Sequence, residues 1–122
     1  MILRMPTHCG DETCPSCVVA GDFIFLAHHT GGHDSKDAAQ QTRVTFQRLA
    51  ETLESAGASL DDLVQINLYL KTMADFQKAQ EVFPEFFQRG CPARMTSTTE
   101  FFEPACRVMM DGIAYRKPHT EV

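Results

Sequence analysis

Leu63 to Lys71 is the stretch that leaves this chain the fewest options. Val64, Ile66, Leu68 and Leu70 alternate with Gln65, Asn67 and Tyr69, the period-two pattern of a strand with one dry face. On both sides the period lengthens. Upstream, Ala39, Phe46, Leu49, Ala50, Leu53 and Ala56 recur at helical spacing and predict a helix over 36–55, capped by Asp34 or Ser35 and stopped by Gly57. Arg43, Gln47, Arg48, Glu51 and Glu54 fall on its solvated side. Downstream, Phe76, Ala79, Val82, Phe83, Phe86 and Phe87 predict a second helix, opened by a capping-box variant at Thr72-Met73-Ala74-Asp75 and kinked by Pro84. A strand fixed between two amphipathic helices needs further strands to complete a sheet that both helices can cover.

The rest of the chain supplies them. Val18-Val19, a turn at Ala20-Gly21-Asp22 and Phe23 to Ala27 read as a hairpin, and 28–34 as a loop whose glycines permit unusual backbone angles. After Gly90, two more strands are expected, over 93–102 and 106–115, joined through Glu103-Pro104. Residues 1–16, punctuated by Pro6, Gly10 and Pro15, are expected to be irregular. The order strand, strand, helix, strand, helix, strand, strand defines an α+β fold, a mixed sheet with two helices on one face, and 122 residues suffice for one domain. The other face, carrying Gln65, Asn67 and Tyr69, is too polar for a core and too apolar overall for free solvent, so an oligomer covering it is expected.

Charge and cysteine usage narrow the function. A net charge of −5, with no basic run interleaved with aromatics, argues against nucleic acid as a partner. No apolar stretch is long enough to span a bilayer, and 1–10 lacks a signal-peptide core, so the expectation is a cytoplasmic protein without a membrane partner. Five cysteines, Cys9, Cys14, Cys17, Cys91 and Cys106, make an odd set for structural disulfides. Cys14-Pro15-Ser16-Cys17 has zinc-knuckle spacing, with His8, His28, His29 and His33 nearby, but no second such pair follows. Free thiols are the expected state, with no metal and no cofactor.

Cys91-Pro92-Ala93-Arg94 places an arginine at a strand entrance, where its planar fork can grip a carboxylate at two points or form a surface salt bridge. Around it, Gly21-Asp22-Phe23-Ile24-Phe25, the run from Leu53 to Val64, Asn67-Leu68-Tyr69-Leu70, Asp75-Phe76, Val82-Phe83-Pro84-Glu85-Phe86-Phe87 and Gly112-Ile113-Ala114 complete a succession of landmarks. This succession, from residue 17 to 115, resembles the RidA (YjgF/YER057c/UK114) family, whose members are also described as endoribonuclease L-PSP-like. The resemblance implies a chorismate mutase-like fold of the bacillus type. It also implies a homotrimer with its sheets in a central barrel, and clefts between subunits that hydrolyse enamines and imines to 2-oxo acids and ammonia. It makes Arg94 the group that pairs with a small substrate's carboxylate.

The departures from the family are as informative. Counting from Arg94 without gaps, the glutamate that handles the hydrolytic water becomes Met109. Asp111 shares that strand face but lies about 7 Å further along. The family's Ser-Gly at the end of the second strand becomes Ala27-His28, Cys14 stands near the position of a common aromatic residue, and Thr96 stands where many members have cysteine. Catalysis is thus expected to rest on Arg94 with His28 or Asp111. Arg94, Thr96, Cys14, Ala27, Met109 and Glu103 are the candidates to line the substrate site, and Phe101-Phe102 serves packing or the pocket mouth. His28 is attractive as a base because imidazole titrates near neutrality. Its bland alternative is a hydrogen-bonded loop residue, and that of Asp111 is a partner for an arginine. The alternative function is a trimer that binds small carboxylic acids such as 2-oxo acids without turnover.

Overall fold

The computed structural model describes residues 1–116. Eight regular elements follow one another: β1 (Ile2–Arg4), β2 (Cys17–Ala20), β3 (Phe23–His29), α1 (Ala38–Ser55), β4 (Leu63–Leu70), α2 (Phe76–Phe86), β5 (Ala93–Thr98) and β6 (Val108–Tyr115). The strands form one six-stranded sheet in the order β1-β2-β3-β6-β4-β5. Only β4 and β5, joined through α2, run parallel, and the other pairs are antiparallel. The expected mixed sheet with two helices is present.

One sheet face makes the core. Ile24 and Leu26 of β3, Ile66, Leu68 and Leu70 of β4, and Val108, Met110 and Ala114 of β6 are buried with Leu49 and Leu53 of α1 and Val82 of α2. Phe46 of α1 is the hub, with the Phe83 ring 5.0 Å away edge-to-face, Phe87 at 5.2 Å edge-to-face and Phe86 tilted at 5.0 Å. Such pairs add about 1 kcal/mol each beyond the area they bury. Pro84 lies within the same helix.

Several expectations need correction. Residues 1–16 are not wholly irregular, since Ile2–Arg4 adds a strand to the edge of β2. The helix expected from residue 36 begins at Ala38, because the Asp37 carboxylate, not Asp34 or Ser35, caps the Ala39 N–H. Thr72 makes no side-chain cap; a 3-10 turn over Met73–Asp75 leads into α2, and the Asp75 carboxylate receives Arg107 instead. The strand expected over 93–102 stops at Thr98, the one expected from 106 starts at Val108, and β3 runs through His28 and His29. Val64 leaves the dry face: β4 bulges between Leu63 and Gln65 and turns Val64 outward. Gly112 answers the bulge, for a Cβ there would meet the Gln65 carbonyl oxygen at 2.5 Å. The expected domain spanned 1–122; its last six residues lie outside the described ones.

The buried face of α1 is also more polar than its hydrophobic periodicity announces. Thr42 and Thr45 are buried and turn their hydroxyls back to the carbonyls of Ala38 and Gln41. Gln41, fully buried, donates to the carbonyls of Ser35 and Ala105 at 2.8 and 2.9 Å and accepts from the Arg107 N–H at 2.8 Å. One amide thus pins the segment entering β6 to the first turns of α1. Gln41→Ala leaves three part-buried backbone groups without this partner, and urea denaturation is expected to show a loss of about 1–3 kcal/mol. A loss below about 0.5 kcal/mol would mean that water replaces the amide there.

Candidate functional site

The β-period decides where each candidate stands. Across the β4–β5 pairing, Arg94 and Thr96 lie beside Ile66 and Leu68, whose side chains are buried under the helices, so both belong to the helix-covered face at the sheet edge. The guanidinium lies over the Phe76 and Phe83 rings, 5.3 and 5.0 Å from their centroids, and its Nε donates to the Thr96 hydroxyl at 3.0 Å. Among the described residues no carboxylate is within ion-pair distance of Arg94, so the surface salt bridge is not formed. Thr96 spends its hydroxyl oxygen on holding Arg94 in place.

Met109 and Asp111 face the other way. They oppose Tyr69 and Asn67 across the β4–β6 ladder, on the open side of the sheet. There His28, Tyr69, Met109 and Asp111, with Thr99, Glu100, Phe101 and Phe102 from the loop after β5, line a cavity of about 340 Å³. Asp111 is no partner of an arginine: its Oδ1 accepts from the Asn67 amide at 2.6 Å and its Oδ2 from the Tyr69 hydroxyl at 3.2 Å. Burial, and then the charge and hydrogen bond of Asp111, push the Tyr69 phenol above its ordinary range. Asn67 and Tyr69 were recognisable in the sequence only as wet-face residues; nothing in the spacing announced that both would converge on one carboxylate.

The remaining candidates scatter. Ala27 precedes His28 at an irregularity in the β3–β6 pairing and binds Ser16 through its backbone N–H. Glu103 caps the Ala105 N–H at 3.1 Å and lines a neighbouring cavity of about 510 Å³ with Lys71, Thr72 and Pro104. Cys14 ends a turn from Asp11, and its half-buried thiol is pushed up chiefly by burial, then by Cys9 and Asp11. Cys17 packs into the core, where burial likewise disfavours its thiolate. Among the described residues no three metal-binding side chains converge. Within one chain, then, His28, Met109 and Asp111 share a cavity, while Arg94 with Thr96 stands across the sheet from them.

His29, beside His28, is structural. Its ring is buried, one nitrogen meets the Ala27 carbonyl at 2.8 Å and the other the Thr52 hydroxyl at 2.8 Å. A carbonyl can only accept, so Nδ1 carries the proton and Thr52 donates to Nε2.

This open-faced α+β sheet with two helices on its back defines the class of protein. The sequence matches the family described as Endoribonuclease L-PSP over residues 15–116, and the chain belongs to that family, the YjgF/RidA group that its landmarks resemble. A RutC family protein of Pyrococcus abyssi is 34% identical over 106 residues, covering 82% of this chain and 84% of that one. A protein of Dermatophagoides farinae named 2-iminobutanoate/2-iminopropanoate deaminase is 32% identical over 78 residues, 64% of this chain and 59% of that one. Among solved structures, a hypothetical protein of Streptococcus pyogenes M1 GAS, described as a member of the yjgF family, superimposes with a TM-score of 0.86. It is 26% identical and covers 96% of this chain and 98% of its own. Among the described residues no helix is long and apolar enough to cross a membrane.

Burial, and then its neighbours His8, His28 and Arg48, pull the His29 imidazole down to about 4, the Ala27 carbonyl opposing only in part. In the unfolded chain His29 takes up a proton as pH falls through about 6.5, whereas the folded chain resists until about 4. Stability is therefore lost as pH falls across that window, by roughly 3 kcal/mol from this group. His29→Asn, which retains a donor for Ala27 but does not titrate, is expected to flatten that part of the stability–pH curve in denaturant titrations. Parallel curves for the two proteins would contradict the assignment.

Proposed function

We propose that the protein hydrolyses reactive imines and enamines bearing a carboxylate to 2-oxo acids and ammonia, in clefts that form between copies of the chain in a homotrimer. The observation that carries this reading is the state of Arg94. Two aromatic faces and the Thr96 hydroxyl hold its guanidinium, yet no carboxylate of the described residues takes up its fork. An arginine fork held this way, with none of the described carboxylates on it, is suited to a small carboxylate at two points, which would orient the adjacent imine carbon. The deaminase name of the Dermatophagoides relative supports the same chemistry.

The placement of these groups on the sheet supports the need for a second copy. Arg94 and the Asp111 cavity lie on opposite faces of one chain, so a cleft that uses both takes each from a different copy. The open face is dressed for such contact. Phe23, Phe25, Val64, Met95 and Tyr115 are exposed there, with the Phe23 ring 5.4 Å from Tyr115 and 6.4 Å from Phe25. His28 lines the cavity as a candidate base, and Met109 gives it an apolar wall.

A coupled assay tests the reading: an amino-acid oxidase generates imines in place, and semicarbazide traps whatever is not hydrolysed. Wild type is expected to lower the trapped fraction, Arg94→Ala to lose about 10²-fold or more in kcat/KM, and Arg94→Lys to fall between, since it keeps the charge without the fork. If wild type lowers nothing, the deaminase reading falls and the non-catalytic binder of small carboxylic acids remains. If Arg94→Ala matches wild type, Arg94 leaves the site.

A further inference from the structure

The cavity on the open face carries a polar device that the apolar residue Met109 does not explain. The groups that titrate along its walls are His28 from β3, Tyr69 from β4, Asp111 from β6 and Glu100 from the loop after β5. Glu100 is exposed on that loop, and His28 is exposed at the irregular end of β3. Asp111 differs from both. It sits mid-strand, half-buried, and two donors from the neighbouring strand grip it, the Asn67 amide at 2.6 Å on one oxygen and the Tyr69 hydroxyl at 3.2 Å on the other. An ionised carboxylate offers about four acceptor positions, so one remains on each oxygen. Asn67 and Tyr69 lie two residues apart on one strand face, opposite Asp111 and Met109, which makes the arrangement a property of the rigid ladder.

We propose that Asp111 is the carboxylate that orients and deprotonates the hydrolytic water, and that Asn67 and Tyr69 are positioning residues that fix its direction. This inference rests on the deaminase reading and names the machinery of that site. In the step, the water oxygen forms a bond to the imine carbon while one water proton passes to Asp111. That proton is returned to the nitrogen, giving a carbinolamine. The remaining hydroxyl proton then moves to nitrogen as the C–N bond breaks, so that ammonia and the 2-oxo acid leave and Asp111 is ionised again. Tyr69 keeps its own proton throughout, in keeping with a phenol pushed above its ordinary range, and so remains a donor to the carboxylate. Met109, beside Asp111 on the same face, contributes bulk that limits the room for water near that carboxylate.

Two measurements test this, and they fail separately. The chain has two tyrosines and no tryptophan, so near-ultraviolet phenolate absorbance reads Tyr69 and Tyr115 alone. In a Tyr115→Phe background the single remaining titration is expected to fall to lower pH when Asp111→Asn removes the adjacent charge; an unmoved titration would show that the network does not form and would overturn the inference. In the imine assay, Tyr69→Phe and Asn67→Ala are each expected to lower kcat about tenfold with KM changed less than twofold, and Asp111→Asn to lower kcat about 10²-fold, at unchanged thermal midpoints. Wild-type kcat in both Tyr69→Phe and Asn67→Ala, or a rise in KM alone, would overturn the inference while leaving the deaminase reading intact. A wild type without activity would overturn the reading and this role together, even with the titration as expected.

Discussion

Burial of one face of the sheet against two helices is the constraint on which the rest of this structure depends. Ile24, Leu26, Ile66, Leu68, Leu70, Val108, Met110 and Ala114 go under α1 and α2, where the four-phenylalanine cluster around Phe46 completes the core. Once those residues point down, the strand period leaves their neighbours no choice. Asn67, Tyr69, Met109 and Asp111 point away from the helices, and Arg94, beside Ile66, points toward them. A slip of one residue in either pairing would exchange the faces and dismantle both halves of the site. The bulge at Leu63–Gln65, seated against Gly112, lies at the start of β4, and beyond it Asn67 and Tyr69 pair in regular register with Asp111 and Met109.

The same constraint gives the functional reading its form. Arg94 lies over Phe76 and Phe83 on the helix side, with a fork that no described carboxylate fills, while the cavity with Asp111 opens on the far side. On the proposed reading, a single chain holds the two halves of a carboxylate-and-water site apart. Phe23, Phe25, Met95 and Tyr115 are exposed on the open face, which suits the proposed association between copies.

Much of this was legible from periodicity. The alternation after Leu63, the two helical stripes and the phenylalanines of α2 carry a strong signal because core packing demands it, and those elements fall where the pattern puts them. What escaped was set by local polar competition. Asp37 outcompetes Asp34 and Ser35 as the cap, the bulge flips Val64, and Gln41 is buried because three backbone groups need it, a reason no hydrophobic pattern encodes. In the site, Arg94 stood out by its Pro-Ala-Arg setting, and Met109 by its departure from the resembling family. The convergence of Asn67 and Tyr69 on Asp111 depends on cross-strand register between segments 42 and 44 residues apart, which spacing along one chain cannot convey.

The central claim is that one copy's Arg94 works with another copy's Asp111 cavity. Complementation between two inactive chains tests it most directly. Arg94→Ala and Asp111→Asn proteins, unfolded together and refolded at equal concentration, should recover imine hydrolysis. Random assembly in a cyclic trimer leaves about one quarter of the clefts with both groups intact, so activity should approach that fraction of wild type. If the mixture stays at the level of the separate variants, both groups serve one cleft from the same chain, or they do not share a site, and the account fails.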